Sequence, residues 1–324
     1  MKCQSNPIDL SIRVILQLFG LITISCGIAG AQTGILLREG VIIDEVKGEV
    51  YMTTPDVRVQ AVSVRDGASL WISDGLFKPL ALINGRLISQ SAGRSNEFSM
   101  VELDVNEKGS SKNRYSIDLP EVVQINLRKK PGVEFEIRSR VLDNRVYFSW
   151  NYRTKPMRGI LDEETMRSDS EPEQRGAFML NPVSRRLTVI DRQQLPPGVD
   201  GRPIVLGPEE RLDNVKGVQF VSANEKHLLV STRVADDSIF NNHRWEIYDR
   251  NSAAKVGEVM DYRSYAPFCV VNNVIVYEAG PYIRRVGKEF SEVPLVIVAY
   301  DFQRRSQLWE FPILDTVDRG PFPP

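Results

Sequence analysis

Short runs of β-branched and aromatic residues, each about the length of a strand, follow one another along the chain from residue 41 onward. Several of them alternate apolar and polar positions, which is the pattern of a strand with one buried and one solvated face. Turn-forming pairs such as Asn84-Gly85 and Asp143-Asn144 separate the runs. Long stretches with the helical period are missing, so the pattern predicts an all-β fold. The clearest runs are 41–43, 49–52, 145–150, 227–231 and 274–277.

One hairpin pattern recurs along the chain and indicates an internal repeat. Ala61 and Ala299 each lie ten residues before a tryptophan, Trp71 and Trp309, and a polar turn separates the two members of each pair. Three weaker copies lack the closing tryptophan. A short polar residue ends the first strand of each copy, where its side chain can bond nearby backbone groups in a turn. These polar residues are Ser63, Asp104, Asn181, Asp249 and Asp301.

A second hairpin precedes most copies, and two hairpins per repeat make a four-stranded sheet. The "Ala-x-Asp, polar turn, Leu-Trp" hairpin resembles the repeats of PQQ-like β-propeller proteins. The last copy fits this pattern, and the first fits it with Ser63 in place of the aspartate. The resemblance implies an all-β propeller of about five to six four-stranded blades, but it does not imply a quinone cofactor. A β-sandwich is the alternative fold.

The N-terminus has the layout of a secretory signal peptide. Lys2 and Arg13 precede an uncharged apolar run, and Ala29-Gly30-Ala31 offers a small-x-small cleavage site. This pattern predicts a signal peptide at 1–31, a propeller domain at 32–314 and a Pro-rich C-terminal tail at 315–324. Two alternatives remain. The apolar run is near the lower length limit of a membrane anchor, and Ile22–Cys26 resembles a lipobox that would place a lipid on Cys26.

Charge and composition exclude several classes of function. The chain has 41 basic and 42 acidic residues, so it offers no electrostatic reason to expect a nucleic-acid partner. The two histidines, His227 and His243, are far apart and have no cysteine cluster to join, so no metal site is predicted. Cys269 is the one cysteine outside the predicted signal peptide, and its apolar surroundings indicate a buried, inert thiol.

The chain shows no recognisable catalytic motif, and catalytic residues are left unassigned. Asp44, Glu45, Asp261 and Glu278 are carboxylates that a glycosidase-like propeller would need to bring together in pairs. Quinoprotein dehydrogenases carry adjacent cysteines at the cofactor, and no such pair is present here. Trp71 and Trp309 are therefore interpreted as core aromatics between blades, and no cofactor is predicted.

The resulting functional expectation is an exported, non-catalytic binding or scaffold protein. A propeller presents loops from every blade on one face, which suits contact with another envelope protein or with a glycan. The expected location is the periplasm or the extracellular space, with membrane attachment only through a lipid on Cys26. The alternative is a propeller enzyme that acts on a sugar or an alcohol.

Overall fold

A computed structural model of the chain describes the strand-rich part of the sequence. The chain divides into two compact units, Met1–Ala31 and Gln32–Pro324, and every described residue belongs to the second unit. The predicted signal peptide, Cys26 and the predicted tail lie outside the described residues. The described residues are 34–125, 127, 133–154, 173–196, 199, 211–213, 215–234, 242–280, 282–286 and 289–314.

The N-terminal sheet is an antiparallel meander that contains two four-stranded units, called blades 1 and 2. Its strands are β1 (Ile35–Arg38), β2 (Val41–Asp44), β3 (Glu49–Thr53), β4 (Arg58–Ser63), β5 (Ser69–Ile83), β6 (Arg86–Ser91), β7 (Glu97–Asp104) and β8 (Ser110–Asp118). The division falls within β5, because its first half pairs with β4 and its second half pairs with β6. Blade 1 is therefore β2 to the first half of β5, and β1 is an additional strand paired with β2.

Three further four-stranded sheets repeat the same meander and form blades 3, 4 and 5. Blade 3 contains β9 (Val133–Leu142), β10 (Arg145–Thr154), β11 (Gln174–Asn181) and β12 (Arg186–Ile190). Blade 4 contains β13 (Gln219–Val221), β14 (His227–Val234), β15 (Asn242–Asp249) and β16 (Lys255–Asp261). Blade 5 contains β17 (Phe268–Val271), β18 (Val274–Ala279), β21 (Val296–Asp301) and β22 (Ser306–Pro312), and the hairpin of β19 (Tyr282–Val286) and β20 (Glu289–Val293) is inserted before β21.

Burial distinguishes the inner strand of a blade from its outer strand. The first strands β2 and β17 are buried at every position. The fourth strands, namely the first half of β5, β8, β16 and β22, are exposed at about every second position. Since alternate residues of a strand point to opposite sides, an exposed alternation marks a rim strand with one face on the neighbouring sheet. Blades 1 and 5 thus run from the centre of the molecule outward.

Hydrophobic clusters join the blades in cyclic order. Separate clusters join blades 1 and 2, blades 2 and 3, blades 4 and 5, and blades 5 and 1. Blades 3 and 4 contact through Arg140 Nη2 and Glu225 Oε1, which are 3.7 Å apart. Pairs that share a cluster across a junction are Ile42 with Leu87, Phe98 with Phe178, Trp245 with Tyr277, and Val62 with Trp309.

The sheets and their cyclic contacts define a β-propeller with five four-stranded blades among the described residues. This architecture confirms the predicted all-β propeller and its predicted range of blade number, and the sandwich alternative is not observed. Apolar packing between neighbouring blades forms most of the core, because an isolated four-stranded meander would leave its apolar faces in water.

Candidate functional site

The two ends of the propeller differ in the length of their connections. Connections between first and second strands, and between third and fourth strands, contain at most five residues and lie on what is called the turn face. The remaining connections define the loop face. Within blades these are 54–57, 92–96, 155–173, 235–241 and 280–295, and between blades they are 119–132, 191–218 and 262–267. The described strand ends that flank the long connections therefore all lie at one end of the molecule.

The polar residues of the repeat lie on the turn face, at the turn between the third and fourth strands. Backbone N–H groups two or three residues further on donate to the side chains of Asp104, Asn181, Asp249 and Asp301 over 2.7–3.1 Å. In blade 1, where Ser63 stands at this position, Asp66 Oδ1 accepts from the Ala68 N–H instead at 3.1 Å.

A left-handed residue follows each of these polar residues four positions later. Such a conformation lets a short turn reverse direction, and it is the conformation that glycine adopts most readily. The residues and their φ angles are Gly67 (70°), Lys108 (53°), Arg185 (54°), Ala253 (56°) and Arg305 (53°). The five copies of the repeat therefore share backbone geometry as well as sequence pattern.

The two repeat tryptophans lie between blades. Trp71 pairs in register with Ala61, and Trp309 pairs with Ala299. The Trp309 ring covers Gly67 of blade 1, where an added Cβ would lie 2.6 Å from Trp309 Cγ, and Trp309 Nε1 donates to the Val64 carbonyl at 3.0 Å.

Trp71 covers Gly109 of blade 2 in the same way. Both tryptophans thus pack against the third-to-fourth-strand turn of the following blade.

Ion pairs and hydrogen bonds cross the centre of the turn face. Glu45 in the β2–β3 turn of blade 1 pairs with Lys226 of blade 4 at 2.8 Å and accepts from Asn224. The buried Cys269 thiol lies 3.8 Å from Glu45 Oε1, and its burial raises its pKa. Side chains from blade 1 and blade 4 therefore meet at the centre of this face.

A set of paired charges, called the central charge cluster, lies on the loop face. It consists of Arg38, Glu39, Lys78, Asp261, Arg263 and Glu278. Glu278 in blade 5 accepts from two guanidinium groups, with Arg38 Nη1 2.9 Å from Oε2 and Arg263 Nη1 3.1 Å from Oε1. Lys78 of β5 forms a buried ion pair with Glu39, which follows Arg38 at the end of β1.

Arg263 is fixed through its backbone as well as its side chain. Its N–H donates to Asp261 Oδ1 at 2.9 Å, and its carbonyl accepts from Trp245 Nε1 at 2.7 Å. Burial raises the pKa of Asp261. Burial and the nearby charge of Glu278 raise the pKa of Tyr265 to about 12. Tyr265 stacks on Phe220 with ring centroids 4.5 Å apart.

The structure brings together two of the four candidate carboxylates and separates the others. Asp261 and Glu278 both contact Arg263 on the loop face. Asp44 and Glu45 lie on the turn face, where Asp44 Oδ1 accepts the N–H groups of Val46 and Lys47 at 3.0 Å. Each loop-face carboxylate is engaged by a guanidinium, which is an arrangement for holding charge in place rather than for attacking a glycosidic bond.

The two histidines lie at opposite ends of blade 4. Nδ1 of His243 lies 3.2 Å from Ser231 Oγ, and His243 pairs in register with Asp261. His227 pairs with Asp249 near the turn face, and its burial lowers its pKa. The described residues contain no group of three His, Cys, Asp or Glu side chains that would hold a metal ion.

The residues that the sequence interpretation missed are the cations of the cluster. Arg38, Lys78 and Arg263 stand in no recognisable motif, and Arg38 and Glu278 are 240 positions apart in sequence. The one local signal is the Asp261-x-Arg263-x-Tyr265 spacing, which begins at the last residue of β16 and continues into the connection that follows. Along the part of the chain that the structure describes, no helix has the length and apolar character to cross a membrane.

Comparisons with known proteins add little to this geometry. No family model and no curated protein matches the sequence. The WD40 repeats of RRP9 share 8% identity over 89% of this chain and 84% of that chain, with a TM-score of 0.26. U3-55K shares 8% identity over 89% of this chain and 86% of its own, with a TM-score of 0.27.

An apocarotenoid oxygenase from Synechocystis shares 8% identity over 86% of this chain, with a TM-score of 0.28. This chain covers 60% of the oxygenase. With TM-scores this low, the fold assignment rests on the sheets and junctions of the chain itself.

Proposed function

We propose that the chain is an exported, non-catalytic binding propeller of the PQQ-like repeat type, which contacts a protein or glycan partner of the cell envelope through its loop face. The observation that carries the proposal is that the strand ends flanking all long connections, and the central charge cluster, lie on that face. A rigid scaffold with variable loops at one end is the usual construction of a binding module.

The opposite face supports the same proposal by contrast. Its connections are short turns closed by their own side chains, and its centre is spanned by Glu45 and Lys226. Short turns held by internal hydrogen bonds have few polar groups left for a partner, whereas longer connections offer both side chains and backbone. The two faces of this propeller are therefore suited to different tasks: the turn face to rigidity and the loop face to contact.

Export is the second part of the proposal, and it is supported by the sequence of residues 1–31. The basic start, apolar run and Ala29-Gly30-Ala31 fit cleavage after Ala31, and Ile22–Cys26 offers lipidation as the alternative route. Mass spectrometry of the chain isolated from its host envelope distinguishes the two, because a chain that begins at Gln32 and one that begins at an acylated Cys26 differ in mass. An uncleaved chain in the cytoplasm would contradict export.

Site-specific photo-crosslinking tests the binding face. A photoreactive residue replaces Arg94 or Ser264, which are exposed on the loop face, and Val46 or Val183 on the turn face as matched exposed controls. Irradiation of the producing host is expected to attach a partner at Arg94 or Ser264 and not at the two valines. Crosslinks that form equally from both faces, or only from the turn face, would overturn the proposal.

A further inference from the structure

The described part of the chain begins at the turn face. Strand β1 pairs with β2, the buried first strand of blade 1, so β1 lies on the central side of that blade. In the antiparallel register, Ile35 lies opposite Ile43, which is next to the β2–β3 turn. The Gly34 N–H donates to the Leu82 carbonyl at 2.9 Å, close to the β5–β6 turn. Both contacts place Gly34, the first described residue, near the centre of the turn face.

This position connects the turn face with the residues expected to be involved in export and attachment. The apolar run and the lipobox-like Ile22–Cys26 both lie before Gly34 in the chain. Because an extended chain spans at most about 3.5 Å per residue, the segment from Cys26 to Gly34 reaches at most about 30 Å. A membrane anchor retained in residues 1–31 would therefore hold the turn face, rather than the loop face, close to the bilayer.

The turns of this face also carry exposed positive charge. The exposed basic turn residues that form no ion pair with another described residue are Lys47, Arg65, Lys108, Arg185 and Arg305. Lys226 and Arg304 are exposed too, and they pair with Glu45 and Asp301. All five blades therefore contribute exposed cations to the turn face.

Exposed acidic residues in the same turns are fewer, and most of them are engaged. They are Asp66, Glu107, Asp143 and Glu225. Glu107 pairs with Lys112, Glu225 lies 3.7 Å from Arg140, and Asp66 accepts a backbone N–H of its own turn. The turn face thus presents a surplus of positive charge to solvent.

The described parts of the loop-face connections show no such surplus. Their exposed acidic residues are Asp56, Glu121, Glu173, Asp191 and Asp213. Their exposed basic residues are Arg94, Arg192, Arg211 and Lys216. The near-balance of charge in the whole chain therefore hides a difference between the two ends of the propeller.

A basic face next to the N-terminal segment matches an anionic lipid surface. Each Lys or Arg near such a surface improves the affinity about fivefold. An apolar or acyl anchor is held more firmly when a basic patch acts with it. The turn connections are short and their backbone groups bond within the turns, so their long basic side chains are what they offer to a neighbouring surface.

We propose that the turn face docks on an anionic lipid surface, with the N-terminal segment leaving the propeller between the face and the lipid. The basic turn residues of all five blades contact the lipid headgroups. The loop face then points away from the membrane, where it is open to the partner of the proposed function.

The first experiment uses the chain purified from its producing host and two kinds of vesicle, phosphatidylcholine alone and phosphatidylcholine mixed with phosphatidylglycerol. An apolar or acyl anchor inserts into both, so the ratio of the two affinities reports the charge of the face. Co-sedimentation is expected to show at least about tenfold tighter binding to the phosphatidylglycerol vesicles at low salt, and high salt should remove this preference. Equal binding to both vesicles, or binding to neither, overturns the proposal.

Charge-reversal variants then locate the surface. Arg185→Glu and Arg305→Glu, combined in one chain, are expected to weaken binding to the anionic vesicles at least about tenfold and to leave binding to neutral vesicles unchanged. Arg94→Glu with Arg192→Glu, exposed on the loop face, gives the same net charge and is expected to retain the wild-type affinity. Equal weakening by both pairs would show that net charge, and not this face, attracts the lipid. Thermal unfolding checks that each variant is folded.

A fluorophore tests the orientation on the vesicle. It is attached to Val183→Cys on the turn face or to Ser264→Cys on the loop face, and the buried Cys269 does not compete for the label. A spin label on the lipid headgroup is expected to quench the fluorophore at position 183 strongly and the one at position 264 weakly. Equal quenching at both positions, or stronger quenching at position 264, contradicts the docked orientation.

The results for this surface and for the loop face can be told apart. If the turn face docks on lipid but no partner crosslinks at Arg94 or Ser264, the proposed function is wrong and the lipid surface stands. If a partner crosslinks at Ser264 but anionic vesicles are not preferred, the lipid surface is wrong and the loop face keeps its function. Binding of heparin without binding of anionic vesicles would identify a soluble polyanion as the ligand and overturn the lipid assignment.

Discussion

At the scale of single residues, the turn between the third and fourth strands shows how a few side chains set the geometry of each blade. At the start of this turn, a carboxylate or amide side chain accepts hydrogen bonds from backbone N–H groups. The fourth residue after it has a left-handed conformation and ends the turn. Gly67 fills the left-handed position in blade 1, and it also makes room for the Trp309 ring. The same position in blade 5 is Arg305, which is exposed.

Replacing Gly67 by valine tests this dual role. A β-branched residue at φ 70° is strained, and its Cβ would overlap the Trp309 ring, so we expect a loss of at least about 2 kcal/mol in unfolding free energy. Arg305→Gly, at the equivalent exposed position, is expected to change stability by no more than about 1 kcal/mol. Chemical denaturation measures both. A Gly67→Val chain as stable as the wild type would show that the Trp309 contact is looser than the geometry indicates.

The sequence predicts only some of these turn residues. Asp and Asn at the strand ends are readable because their role is local and needs only the following few residues. The left-handed conformation of Lys108, Arg185 and Arg305 carries no such signal, because these residue types rarely adopt it. In blade 1 the acceptor is Asp66 rather than Ser63, a shift within the turn that the repeat pattern hides.

At the scale of strands and blades, an aromatic ring from one blade packs on a glycine of its neighbour at three blade junctions. At two junctions the earlier blade in the ring supplies the aromatic residue, and at the third the later blade supplies it. Trp309 of blade 5 and Trp71 of blade 1 each cover a turn glycine of the next blade. In blade 4 the position equivalent to these tryptophans is Gly257, and Phe302 from the turn of blade 5 fills the space above it. The junction of blades 4 and 5 therefore has the same ring-on-glycine contact, but the aromatic residue is on blade 5 and the glycine is on blade 4.

Substitutions at Gly257 and Phe302 are expected to be strongly non-additive. Phe302→Ala leaves a cavity and should cost about 3–5 kcal/mol of unfolding free energy. Gly257→Trp alone should destabilise as well, because a Cβ there already lies 2.3 Å from the Phe302 ring. Combining Gly257→Trp with Phe302→Val, the residue type at position 64, should recover part of the loss. A double variant whose loss equals the sum of the single losses would contradict this exchange.

This exchange also explains what the sequence could and could not predict about elements. The strands are readable because alternating burial imposes a period of two on local sequence. The closing aromatic of a middle repeat is missed when each blade is read by itself, because Gly257 and Phe302 lie in different blades and no pattern within one repeat connects them. The added strand β1 and the hairpin β19–β20 belong to no repeat, so the recurring hairpin pattern gave no signal for them.

At the scale of the whole molecule, side-chain packing and hydrogen bonds close the ring. Every blade among the described residues is built from one continuous stretch of chain, and no strand is exchanged between the first and last blades. The junction of blades 5 and 1 contains the Trp309 cluster, the Arg38–Glu278 ion pair and the Leu314 N–H, which donates to the Thr53 carbonyl at 3.0 Å. The Arg38–Glu278 pair of the central charge cluster crosses this closure, and no local pattern in the sequence connects residues so far apart.

Trp309→Ala is expected to lower the stability of all blades together. The loss should be about 3–5 kcal/mol, and unfolding should remain a single transition, because each blade depends on its neighbours to cover its faces. Circular dichroism reports all strands, and the fluorescence of the remaining Trp71, Trp150 and Trp245 reports blades 1, 3 and 4. The exposed Gln307→Ala in the same strand serves as the control. Separate transitions for the two probes would show that the blades unfold independently.

The continuous blades also set an order of events for a chain that is synthesised from its N-terminus. Blade 1 can form its hydrogen bonds early, yet the face that carries Val50 and Val62 stays uncovered until the residues around Trp309 arrive. Pairing between such distant parts of a chain is slow, and the waiting apolar surface is prone to aggregation. The last residues to be made therefore shield the first blade to form, and that first surface stays open to other chains until then.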